Sequence, residues 1–362
     1  MKKIQKLLLL LLMTAMLLPT FAVAETPVIV NLVENPDAEY HFEGGAKILE
    51  IVFPRVYSSD CILLRYDGMV MMIDASTKNA TMRNRIYTAC DTLGIDHIDI
   101  AYNSHPHDDH IDGFQFVNEY APISKFLITF PEDFNARMKS AVKFMKANNI
   151  PIEQIGNGDT FTLGEDGGVK MTVIQYHKSS WGVNDQSAML MVQYGDRRML
   201  LAGDNENRSQ QYFAANPPEI GLNADIFKYP HHGQVCLRDD FLEAINPQLI
   251  FINGAANVIK GSVNYCDKKH ISYLLGYKGL TRMRTDGNIW VIDYLKEKNA
   301  DRDLPYTVEW HKVDTTQHAL LMENRTLEVW SIPLRHRVPC AGVLFREKEP
   351  PLNVEKFKIA KY

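Results

Sequence analysis

The chain has 362 residues, of which 46% are hydrophobic and 23% charged, with a formal net charge of −5. That composition fits a folded enzyme and excludes a bulk nucleic-acid binder, which would carry a basic surplus. Five dispersed cysteines, Cys61, Cys90, Cys236, Cys266 and Cys340, show no Cys-x-x-Cys spacing. They exclude a zinc ribbon and a disulfide framework, so packed thiols are expected, with one disulfide open in an oxidising compartment.

At the start of the chain, Lys2, Lys3 and Lys6 precede a twelve-residue apolar run over 7–18, then Pro19 and Ala22-Val23-Ala24 before Glu25. This three-part pattern predicts a secretory signal peptide over 1–24, cleaved after Ala24, and so an exported protein. The run is short of the ~20 residues needed to span a bilayer. No cysteine follows it to carry a lipid anchor, and no later stretch is long and apolar enough to cross a membrane. Removing the three lysines of this segment takes the net charge from −5 to −8. Domains rarely exceed about 250 residues, so one large domain over 25–295 with an appendage is expected.

In chain order, short apolar runs predict strands at 48–52, 62–66, 70–73, 98–102 and 126–130, with helices at 80–93, 112–120 and 133–148. The motif then recurs loosely. Strands at 169–175, 188–194 and 199–202 precede helices near 209–215, 239–244 and 268–277, with strands at 249–252 and 288–294. Residues 296–304 read as a charged linker, and 305–362 as a small β-rich extension, so that 296–362 stand apart from the main domain. Two sheets with helices outside would bury both inner faces.

The densest chemistry follows the strand at 98–102. There His105-Pro106-His107-Asp108-Asp109-His110 places three imidazoles and two carboxylates within six residues. In an extended turn His105 and His107 project to the same side and can share one metal. Asp109 and His110, being adjacent, diverge and can reach a second. Two divalent ions about 3.5–4 Å apart need a carboxylate between them, and they acidify a shared water enough to supply hydroxide near neutral pH. Asp204 suits the bridging place, at the end of an apolar strand and after Gly203. His231 and His232 are the remaining imidazoles. Neighbouring side chains point apart, so one is expected to bind metal and the other to hold substrate or a supporting carboxylate.

The pattern His105-x-His107-x-Asp109-His110 resembles the signature of the metallo-β-lactamase superfamily. Other segments follow in that family's order: Ile73-Asp74 at a strand end, Gly203-Asp204, and Lys228-Tyr229-Pro230-His231-His232-Gly233. This last segment resembles the Lys-x-x-His-His-Gly of the branch holding the hydrolase domain of ComEC-type competence proteins and the cell-wall phosphorylcholine esterases. Asn184 to Leu190 and Thr285 to Ile289 are similar to further segments of that branch, and the resemblance covers roughly 45–295.

The resemblance implies a four-layer αββα sandwich. It also implies metal ligands among His105, His107, Asp109, His110, Asp204, His231 and His232, with Asp109, His231 and His232 serving catalysis. Asp74 would orient the metal loop, and Asn184, His270 and Lys228 are candidates for supporting or substrate contacts. The chain departs from many family members in one respect: 182–187, at the entrance to the strand at 188–194, contain no histidine. The first site would then lack its third imidazole unless His177 supplied one.

The implied cofactor is a pair of divalent ions, zinc first, with manganese or iron admitted by the mixed imidazole and carboxylate donors. The expected function is an exported phosphodiesterase acting on a small-molecule or cell-envelope phosphodiester. An extracellular nuclease is the neighbouring reading, though net charge does not favour nucleic acid. A catalytically silent metal-binding protein is the reading from another class.

Overall fold

Along strands buried on both faces, the alternation of side chains sorts the apolar residues into layers in the computed structural model, which describes residues 28–35, 38–298, 314, 316–323, 327–334 and 340–348. The expected signal segment lies outside the described residues, among which no helix is long and apolar enough to cross a membrane. Contacts divide the chain into two units at Asp303 and Leu304.

In the first unit one sheet runs, strand by neighbouring strand, Ile29–Asn31, Trp290–Leu295, Leu280–Thr285, Leu49–Phe53, Cys61–Tyr66, Met69–Ala75, Ile100–Asn103, Phe126–Ile128 and Ile152–Gln154. The other runs Tyr273–Leu275, Leu249–Ile252, Ile226–Lys228, Arg197–Leu201, Met189–Tyr194, Val169–Ile174 and Thr160–Leu163. Alternate residues of each strand fill different layers. Ile51, Leu64 and Met71 meet Val173, Leu190 and Phe251 between the sheets. Their neighbours Val52, Leu63 and Met72 pack outward on Ile86, Phe114 and Met138 of the helices Ala80–Leu93, Phe114–Tyr120 and Ala136–Ala147. On the far side Met191, Leu200 and Ile250 pack on Phe213, Phe241 and Cys266 of Asn207–Ala215, Asp239–Ile245 and Lys260–Lys269. This is the expected αββα sandwich.

Local chemistry sets the boundaries. Asn79 caps the helix Ala80–Leu93 by accepting from the Thr81 and Met82 amides, and Gly94 ends it in the left-handed conformation. The helix expected over 112–120 is instead two pieces, Asp108–Ile111 and Phe114–Tyr120. Gly113 separates them where a Cβ would stand 1.8 Å from the Ala75 carbonyl oxygen, so the turn lies directly against the end of the strand that carries Asp74. The helix expected over 268–277 falls earlier, at Lys260–Lys269. His270 ends it with φ 56°, and Leu274 is buried in the strand Tyr273–Leu275 that pairs in parallel with Leu249–Ile252.

The parallel strands put their carboxyl ends together, where ligand sites of open α/β sheets lie. In one sheet Ile73 stands beside Tyr102, so Asp74 and the loop after Asn103 emerge side by side. In the other Leu201 stands beside Lys228, which brings Asp204 next to the turn at His231 and His232.

The second unit is a three-stranded antiparallel sheet, Ala319–Glu323, Leu327–Leu334 and Cys340–Glu347. Leu320, Met322, Val343 and Phe345 are exposed on it. In the first unit Glu297 pairs with Arg55 at 2.7 Å, holding the first residues beyond 295 to the sandwich. Among the described residues Cys61, Cys90 and Cys266 are buried thiols and Cys236 is an exposed one.

Candidate metal centre

His105 and His107, two apart in extended chain, converge as their spacing predicts, with Nε2 of His105 3.1 Å from Nδ1 of His107. Together with Asp204 they form one group of donors close enough to hold an ion. His110 and His232 form the second around the same Asp204. The Nε2 atoms of His110 and His232 lie 3.2 and 3.6 Å from Asp204 Oδ2 and Oδ1. Asp109 joins this second group, with Oδ2 3.2 Å from His232 Nε2 and Oδ1 3.8 Å from His110 Nε2. The carboxylate of Asp204 is therefore shared, and the whole is a candidate dimetal site.

The imidazoles are aimed by partners on their other nitrogen. A carboxylate can only accept, so Nδ1 of His110 donates to Asp74 at 2.7 Å, and Nδ1 of His232 donates to Asp60 at 3.2 Å. This fixes both tautomers with Nε2 toward the centre, the arrangement by which outer carboxylates orient metal-binding histidines. Asp74 also accepts from the Ser104 amide and hydroxyl and from Asn103 Nδ2, and so ties the loop down. It does this with φ 52°, a left-handed conformation that a non-glycine residue adopts at a cost. Asp60 comes within ligand distance of His110, Asp204 and His232. Its oxygens nevertheless face the Nδ1 edges of both imidazoles, and Oδ2 is held by Lys228 Nζ at 2.6 Å, which places Asp60 to orient the two rings.

Electrostatics follow from that crowding. Burial pushes the Asp204 carboxyl up, but the charges of His110 and His232 outweigh it and hold the group well below the usual carboxylate range. Burial alone would neutralise His232, yet Asp204 and Asp60 raise it to about 9. The same contest raises His110, through Asp204 and Asp74. His105 goes the other way: burial and the His110 charge keep it neutral, ready as a ligand.

The donor set fits two divalent ions. His110 Nε2 and Asp204 Oδ1 are both buried with no hydrogen-bond partner. A buried unpaired polar group costs about 1–3 kcal/mol, and an ion held by the donor group to which both residues belong would relieve it.

The expected divergence of the paired histidines is corrected. His231 and His232 do not point apart, because both have positive φ, 48° and 54°, so the chain turns tightly and both rings face Asp204. Lys228, a candidate substrate contact, is buried on an interior strand, where it pairs with Asp60. His270 is an exposed helix end, and His177 is held by Thr129 O and Gln186 Oε1, outside both donor groups. Asn184 reaches the centre's rim, donating to Glu206 at 2.8 Å.

Sequence reasoning missed Asp60, Glu206, Ser104 and Asn253. Asn253 donates to Asp60 at 2.6 Å, and Ser104 Oγ meets His105 Nδ1 at 3.1 Å. Glu206, two residues past Asp204, and Ser104, next to His105, were within reach of proximity alone.

Fold and centre together define a metal-binding αββα sandwich whose two donor groups share one aspartate. Residues 54–235, half of the chain, match the metallo-beta-lactamase superfamily, and the chain belongs to it. Ribonuclease Z of Parabacteroides distasonis is 53% identical over 53 residues, which are 15% of this chain and 17% of that protein. Ribonuclease Z of Bacteroides thetaiotaomicron is 42% identical over 53 residues, again 15% and 17%. The chain thus spans under a fifth of the length of these curated relatives. Among solved structures, a diphosphatase of the PhnP family shares 13% identity at a TM-score of 0.41, covering 66% of this chain and 97% of that one. Zn(2+)-bound PqqB from Methylobacterium extorquens shares 13% at 0.39, covering 62% and 86%. Likenesses of this size carry no functional argument.

Proposed function

We propose that the chain is an exported, metal-dependent phosphodiesterase acting on a small-molecule or cell-envelope phosphodiester. The observation that carries this reading is the sharing of Asp204 between two donor groups, His105 with His107 on one side and Asp109, His110 and His232 on the other. When bound, two divalent ions supply an acidified water and positive charge for both the attacking and leaving oxygens at phosphorus. The residues do the rest. Asp74, Asp60 and Ser104 hold the imidazoles in one tautomer and orientation, and Lys228 balances the buried charge of Asp60. Zinc suits the mixed donors best. The short stretch shared with proteins named ribonuclease Z supports a phosphodiester substrate. Export rests on the signal pattern of residues 1–24, and the narrower ComEC-like placement on the motif Lys228 to Gly233.

The test is hydrolysis of bis-p-nitrophenyl phosphate by the chain from Glu25 onward, loaded separately with zinc and manganese, beside Asp109→Ala and Asp204→Ala. Turnover that both substitutions abolish supports the reading. A folded, metal-loaded protein without turnover on this or on polynucleotide refutes it and leaves a binding role. The nuclease reading, favoured by the same relatives, predicts a polynucleotide affinity that falls steeply with salt, because phosphate contacts release counterions.

A further inference from the structure

We propose that His231 is the third imidazole of the first ion, with Glu206 as the residue that positions it, replacing the histidine absent from the entrance to the strand Met189–Tyr194. The inference rests on the dimetal reading above but not on the reaction assigned to it.

Three independent features converge on it. The first is orientation. His110 and His232 each give Nδ1 to a carboxylate and turn Nε2 inward. His231 repeats this arrangement, with Nδ1 3.0 Å from Glu206 Oε1 and Nε2 3.8 Å from Asp204 Oδ2. Asp204 Oδ2 is shared, with His105 Nε2 at 3.7 Å and His110 Nε2 at 3.2 Å, so His231 faces the bridging oxygen from just outside the tight trio of His105, His107 and Asp204. With His110 already serving the second group beside Asp109 and His232, the first group is the one short of an imidazole.

The second is backbone. Two successive non-glycine residues with positive φ are strained, and such strain persists only where surrounding structure enforces it. Here the His231 amide donates to the Gly203 carbonyl at 3.0 Å, which pins the ring beside Asp204. A relaxed backbone would send one of the two rings away.

The third is what occupies the corner left by the missing histidine. Asn184 stands at that entrance and donates to Glu206 at 2.8 Å. A carboxylate that would otherwise be free is thereby fixed against His231 Nδ1. The histidine ligand is thus supplied from the turn after Ile226–Lys228, and the strand entrance supplies its support.

Metal content and affinity test this without reference to turnover. The chain is stripped, dialysed against zinc, and counted by mass spectrometry, then titrated with cobalt(II) while the visible absorption of each site is followed. Two ions are expected for the wild type and one for His231→Ala. Glu206→Gln should hold two, the weaker with affinity reduced 10–100-fold, as for other residues that orient metal ligands. Two ions at wild-type affinity in His231→Ala would overturn the assignment and place His231 with substrate. If His231→Ala shows no cooperative melt, Glu206→Gln decides, and unchanged affinity there is equally fatal. A wild type with a single ion also overturns it. A wild type with two ions but no phosphodiesterase turnover would refute the proposed function and leave this assignment standing.

Discussion

Lys228 Nζ lies 2.6 Å from Asp60 Oδ2, with both side chains almost wholly buried, and the other oxygen of Asp60 faces His232 Nδ1 at 3.2 Å. The pair is how the fold tolerates a carboxylate in its interior: burial pushes the Asp60 carboxyl up, and the Lys228 and His232 charges hold it ionised and below the usual range. Removing one member of a buried ion pair leaves an uncompensated charge, which costs about 3–5 kcal/mol. Lys228→Met should therefore lose about that much in urea unfolding of the metal-free protein. A loss below about 1 kcal/mol would show that Asp60 finds another partner.

Asp74 acts on the centre at one remove, through His110 and Ser104. Asp74→Asn keeps the shape but no longer offers two accepting oxygens, so His110 is released from its fixed tautomer. Metal affinity should fall 10–100-fold with two ions still bound at saturation. Competition with a chromophoric chelator measures this. Unchanged affinity would mean that packing alone orients His110.

Much of the centre was legible because metal ligands must be particular residue types at particular spacings. His105 with His107, Asp109 with His110, and Asp204 after its strand were all readable in that way. What sequence hides is direction. The left-handed backbone at His231 and His232 reverses the expectation that neighbours diverge, and no composition signals it. Asp60 and Asn253 reach the centre from the loop before Cys61–Tyr66 and from the end of Leu249–Ile252, so only the packing of two sheets reveals them. Lys228 looked like a strand-edge lysine because its paired acid lies 168 residues earlier by the numbering of the chain. Strands and helices were readable from short apolar runs between helical patterns, and the αββα class from the family resemblance. The short strands Ile152–Gln154 and Tyr273–Leu275 were not, since three residues carry no period.

Gly113 links the fold to the metal loop. A methyl group there would stand 1.8 Å from the Ala75 carbonyl oxygen, an immovable backbone neighbour next to Asp74. Gly113→Ala should destabilise the protein by about 1–3 kcal/mol or more through overpacking. Because the displaced turn carries Asp109 and His110, it should also weaken metal binding. Thermal melts with and without zinc separate the two effects. A variant that melts like the wild type in both states would disprove the close approach.

Metal-free and metal-loaded protein should respond to pH in opposite senses. His232 has its folded pKa raised to about 9 by Asp204 and Asp60 against the opposing effect of burial, and His110 is raised in the same way. A raised pKa contributes stability that is fully present below the unfolded histidine value of about 6.5 and is lost as pH rises through the folded value. His105 and His107, lowered by burial, act only below about 6.5 and leave the window above it clear. The melting temperature of the metal-free protein should thus fall between about pH 6.5 and 9. With ions bound the ligands must be deprotonated, so the loaded protein should gain stability over the same range. Differential scanning fluorimetry in chelator and in zinc compares the two directly. A metal-free melting temperature that rises across this window would show that His110 and His232 are neutral in the folded chain, and that the carboxylates around them are not balanced by their protons.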